Sequence, residues 1–210
     1  MAIKAAIREL ANKYAQELER KMSARVIEMA TDDKSHYLIY RVLGINDQEG
    51  ELIDVYQNKG RFVYKYAGAF LEEAAALCFK EKFPQAKRAN VVNTLGQRPR
   101  QFEIDCLIDT DAIEIKWHDA TTDGDHITKE HTRIQAIKAH GYNPIRVMFY
   151  YPNRAQAMRI QATLKTVYAG VNGEYYAGDD AWDYVLQHTK IDLKSLLNEI
   201  AETNQSRRKQ

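Results

Sequence analysis

Two short stretches decide the fold: Phe102-Glu103-Ile104-Asp105 and, after a turn, Ala112-Ile113-Glu114-Ile115-Lys116-Trp117. Apolar residues recur at every second position, Phe102 and Ile104, then Ile113, Ile115 and Trp117. That is the alternation of half-buried strands. Asp109-Thr110-Asp111 between them is turn material, so the pair predicts an antiparallel hairpin. In an extended strand Glu114 and Lys116 share the face opposite Ile113, Ile115 and Trp117. Asp105, near the end of the neighbouring strand, converges on the same edge.

Outward from the hairpin, the pattern is helical on both sides. Apolar residues at helical spacing (Ile3, Ile7, Leu10, Tyr14, Leu18) predict a helix running to about Ala30. A second stretch covers His36–Leu43, and a third Gly60–Phe83, stopped before Pro84. After the hairpin come a polar loop, Asp119–Asp125, and a helix over Ile127–His140. A strand follows at Ile145–Tyr151, then a helix capped by Asn153 and reaching Ala169. Gly170–Gly178 reads as a loop, Ala181–His188 and Leu193–Ala201 as short helices, and Gln205–Gln210 as a disordered tail. The order predicts an α/β (α+β) fold in which helices flank a mixed sheet. We expect one domain over residues 1–204: a helical part to about 83, a core over 84–170 and C-terminal helices over 179–202.

Of the 210 residues, 45% are hydrophobic and 28% charged, enough apolar material for a full core. No apolar run reaches membrane-spanning length, and Met1-Ala2-Ile3-Lys4-Ala5-Ala6-Ile7-Arg8 lacks the apolar core of a secretory signal, which predicts cytoplasmic residence. Cys78 and Cys106 read as buried thiols. The formal net charge of +1 neither supports nor excludes a DNA partner, since binding needs local rather than total positive charge.

The chemistry follows from the hairpin. Carboxylates on Asp105 and Glu114, with the Ile115 carbonyl between them, are hard oxygen donors that suit Mg²⁺; Mn²⁺ is the natural substitute. Such an ion withdraws charge from a phosphodiester and acidifies water, while Lys116 is placed to orient the attacking water and to offset charge on the phosphate. The competing reading is an ordinary solvated strand face. The motif lies at the exit to a polar loop, where sites gather.

With Asp105, Glu114 and Lys116 on the matching positions, the chain resembles the PD-(D/E)xK nuclease superfamily; Ile104 stands where that motif usually has proline. Ser35 to Gly44, Gly60 to Ala74, Phe102 to Asp105, Asp111 to Arg133 and Pro144 to Arg154 resemble type II restriction endonucleases of the ApaLI family. The resemblance spans about Asp32 to Leu193. It implies a Mg²⁺-dependent homodimer that cuts double-stranded DNA at a palindrome. The family namesake's target is GTGCAC. It also implies an accessory acid from the preceding helix, a place that Glu72 or Glu73 fits, and a cognate DNA methyltransferase encoded nearby.

Other candidates flank the motif. Lys129 and Arg133, four apart on a helix, are candidate phosphate clamps, with Thr121, Thr122 and His126 as donors to backbone or bases. Arg98 and Arg100 are candidate base readers. For each the alternative is a solvated surface charge. His126 and His131, five apart, do not share a helix face, and no HExxH pattern exists, which disfavours zinc. Two further functions stay open: a repair or junction-resolving nuclease with the same core, and a DNA-binding protein that has lost catalysis.

Overall fold

The computed structural model describes residues 2–96, 98–118 and 125–208. They form α1 (Ala2–Met29), α2 (Tyr37–Val42), α3 (Asp47–Lys82), β1 (Lys87–Val92), β2 (Gln101–Ile108), β3 (Asp111–His118), α4 (Asp125–Ala139), β4 (Asn143–Tyr150), α5 (Ala155–Ala169), β5 (Glu174–Ala177), α6 (Asp179–Thr189) and α7 (Leu193–Arg208). The chain divides into two compact units, Met1–Ile7 with Leu71–Gln210, and Arg8–Phe70.

The larger unit holds a five-stranded sheet in the order β1-β2-β3-β4-β5. β1, β2 and β3 are antiparallel neighbours, whereas β4 and β5 run parallel to β3. The sheet is mixed and flanked by helices, the α/β architecture expected. Both faces are covered. Phe149 of β4 lies 4.4 Å from the Trp182 ring of α6, while its near neighbour Arg146 reaches Glu130 of α4. A cluster of Val91, Phe102, Ile104, Leu107, Ala112, Ala136 and Ile137 joins β1, β2 and β3 to α4. Cys78 and Cys106 are buried free thiols, and burial pushes each up to about 12.

The smaller unit is helical. Tyr14 of α1 packs edge-on against Tyr66 and Phe70 of α3, and Asp54 accepts hydrogen bonds from Tyr40 and His36.

Several expectations need correction. The third helix begins at Asp47 and not Gly60: Asn46 Oδ1 caps it by accepting the Glu49 amide, and Gly50 belongs inside it because a Cβ there would meet the Tyr40 ring at 2.7 Å. β1 has no counterpart among the expected elements; as an edge strand it buries only Val91 and carries no alternation to read. β5 lies inside the expected Gly170–Gly178 loop, four residues paired to β4. Arg154, not Asn153, is the cap residue of α5, and no side chain caps it. The expected tail is helical to Arg208, begun by Asp192 binding the Ser195 amide; Lys209 and Gln210 lie outside the described residues. Nor is β3 half-buried: Ala112, Ile113, Glu114 and Ile115 are all buried, because a central strand is covered on both faces.

Candidate active site

β2 and β3 are in register at Ile108↔Asp111, Leu107↔Ala112 and Cys106↔Ile113. Just beyond, Asp105 Oδ2 accepts the Ile115 amide at 2.8 Å. On the other side of β2 the register with β1 slips, from Lys87↔Leu107 to Ala89↔Ile104, so two steps along β1 face three along β2. The extra residue falls at Asp105-Cys106. A bulge re-aims a side chain and bends its strand, and Asp105, at this irregularity, bonds across to β3. The bulge leaves no mark in the sequence.

Three carboxylates gather round one ammonium. Lys116 Nζ lies 2.6 Å from Glu114 Oε1, 3.7 Å from Glu72 Oε1 and 3.9 Å from Asp105 Oδ2. Glu114 is 2% exposed and Asp105 13%, while Lys116 keeps 31% of its side chain in solvent. Burial raises the Glu72 carboxyl above the ordinary value, and the Asp105 charge adds to the rise while Lys116 opposes it. Glu72 comes from the C-terminal half of α3. Glu73 instead lines an adjacent cavity of about 210 Å³ with Lys80, Lys87, Arg88, Asp105 and Cys106.

Glu114 is held from a second direction. Arg133 of α4 donates through both terminal nitrogens to the two Glu114 oxygens and to the Glu103 carbonyl. Burial lowers the Arg133 pKa from its usual value. Behind it, Glu130 accepts from Arg146 at 3.1 Å and from the Tyr168 hydroxyl at 2.7 Å, with Arg146 fully buried. Glu130, Arg146 and Tyr168 escaped the sequence reading. The available signal was a single charge, Arg146, inside the apolar run Pro144-Ile145-Arg146-Val147-Met148-Phe149.

The remaining candidates are dispersed. Arg98 and Arg100 are exposed in a loop pinned by Asn93, which binds the Pro99 carbonyl through its side chain and the Arg100 carbonyl through its amide. Lys129 is exposed on α4, and His126 is half-buried at its start. Thr121 and Thr122 lie outside the described residues. Ile115 contributes its amide to Asp105 and its side chain to the core.

Among the described residues no group of three or more His, Cys, Asp and Glu side chains stands together at metal-binding spacing. The donor set nonetheless suits a hard divalent cation. It is all carboxylate oxygen, with Glu72, Asp105 and Glu114 each within 4 Å of the Lys116 ammonium.

The description "ApaLI-like restriction endonuclease" matches residues 1–202 of the chain. No curated protein and no solved structure matches it. Restriction endonucleases act on DNA and generally use divalent metal ions.

Proposed function

Since the chain belongs to the ApaLI-like restriction endonuclease family, we propose that it is a type II restriction endonuclease hydrolysing phosphodiester bonds of double-stranded DNA at a short palindrome, with Mg²⁺ held by Asp105, Glu114 and Glu72 and by the Ile115 carbonyl. The observation that carries the reading is the convergence of those three carboxylates on Lys116 within 4 Å. Mg²⁺ bound there would draw charge from the phosphoryl oxygens and lower the pKa of a coordinated water.

The chain's own residues do the rest. Asp105 is fixed by the Ile115 amide through Oδ2, the oxygen that also lies 3.9 Å from Lys116. Lys116 keeps the largest share of its side chain in solvent among the cluster, 31% against 24% for Glu72. From there its ammonium orients the attacking water and offsets charge growing on the phosphate. Glu72 supplies the accessory acid, because its carboxylate lies 3.7 Å from the Lys116 ammonium. Lys129, His126, Thr121, Thr122, Arg98 and Arg100 are the residues proposed to meet DNA.

A palindromic target implies a homodimer, one site per strand. GTGCAC is the target we would try first, and a host carrying this enzyme needs a methyltransferase for the same sequence. The test is cleavage of a mixed-sequence plasmid with Mg²⁺ and with EDTA, by the wild type and by Asp105→Asn, Glu114→Gln and Lys116→Ala. We expect discrete fragments from the wild type in Mg²⁺ alone and a loss of at least about 10²-fold for Lys116→Ala. DNA binding should survive in all three. Cutting of branched rather than linear DNA would assign a junction-resolving enzyme instead, and binding without any metal-dependent cutting a DNA-binding protein.

A further inference from the structure

Arg133 shares a helix with Lys129 at clamp spacing, yet its guanidinium is turned inward. Its fork closes on both Glu114 oxygens and touches the Glu103 carbonyl, so one side chain ties α4 to β2 and β3. The side chain is 14% exposed and its partner 2%. A DNA phosphate could reach this guanidinium only by taking from a buried carboxylate one of its two counter-charges, the bidentate one, which is costly. The helix turn that carries Arg133 is itself anchored: Glu130, one turn earlier, is gripped by Arg146 of β4 and Tyr168 of α5.

We propose that Arg133 is a positioning residue that fixes the Glu114 carboxylate for the divalent ion, and that it does not contact DNA. The proposal rests on the nuclease reading above. A planar guanidinium bound through two parallel N–H donors sets the plane of its carboxylate partner, which a lysine cannot do. A carboxylate offers about four lone-pair sites. Arg133 takes one on each oxygen and Lys116 a third at 2.6 Å, which leaves room for one more ligand on Glu114 Oε2. Carboxylates that ligate metals are commonly held by outer hydrogen bonds of this kind, and losing one costs about 10–100-fold in metal affinity or activity.

The experiment compares wild type, Arg133→Lys and Arg133→Met by three readouts: circular dichroism, Mn²⁺ titration calorimetry without DNA, and binding to a linearised plasmid in EDTA. Arg133→Lys keeps the charge and loses the fork, so it guards against a variant that merely fails to fold. We expect both variants to fold, to bind the plasmid as the wild type does, and to bind Mn²⁺ about 10–100-fold more weakly. Weaker plasmid binding with unchanged Mn²⁺ affinity would make Arg133 a phosphate clamp and overturn the proposal. Tighter Mn²⁺ binding would make it a plug that excludes the ion. Failure of both variants to fold would reduce it to a structural tie. Plasmid cleavage by the wild type in Mg²⁺ is scored separately: no Mn²⁺ binding and no cutting by the wild type would remove the nuclease reading first, and this inference with it.

Discussion

Glu72 is a carboxyl group whose environment works against its charge: burial raises it above the ordinary glutamate value of 4.5, and Asp105 pushes the same way. An acid raised in this way is protonated, and unable to ligate, up to a higher pH than a solvated glutamate. If Glu72 helps hold the ion, the proton competes with it, so Mn²⁺ affinity without DNA should weaken as pH drops through that raised value. Titration calorimetry with Mn²⁺ across pH measures it; an affinity that stays constant down to pH 4.5 would remove Glu72 from the site. Arg146 presents the opposite case, a buried cation paired with Glu130. Removing one member of such a pair strands the other in the interior, so Arg146→Ala should lower stability by about 3–5 kcal/mol, read from denaturant unfolding. A loss below about 1 kcal/mol, the scale of an exposed pair, would show the pair to be solvated.

The elements show which parts of the sequence could be read. Asp105, Glu114 and Lys116 were legible because a hairpin with clean alternation restricts where its side chains point, and the structure brings these three together. Arg133 was legible as a helical cation but not as a partner of Glu114, because spacing along α4 says nothing about what lies beneath the helix. The bulge at Asp105-Cys106 was invisible, since it depends on pairing with β1, a strand whose exposed positions carry no periodicity. β5 was hidden for a related reason: four residues between glycines look like a loop, and their pairing to β4 is a long-range fact. Gly173 marks where that pairing starts. A Cβ there would lie 2.6 Å from the Pro144 carbonyl oxygen and 2.9 Å from its ring. Gly173→Ala should therefore destabilise the β4–β5 edge by about 1–3 kcal/mol, seen as a lower Tm; an unchanged or higher Tm would show that the edge yields without cost.

At the scale of the molecule, every member of the candidate cluster belongs to the unit formed by Met1–Ile7 and Leu71–Gln210, with its sheet and covering helices. The unit Arg8–Phe70 is a separate helical assembly with its own polar cluster at His36, Tyr40 and Asp54. No helix among the described residues is long and apolar enough to cross a membrane. What the larger unit achieves is the gathering of three carboxylates, Glu114 buried and Asp105 and Glu72 partly so, around one half-buried lysine, a set of hard oxygen donors that suits a divalent cation. A crystal soaked in manganese, with data collected at the metal's absorption edge, tests this most directly. We expect an anomalous peak about 2.0–2.2 Å from carboxylate oxygens of Asp105 and Glu114. A map with no peak between those two carboxylates would refute the assignment of the metal site.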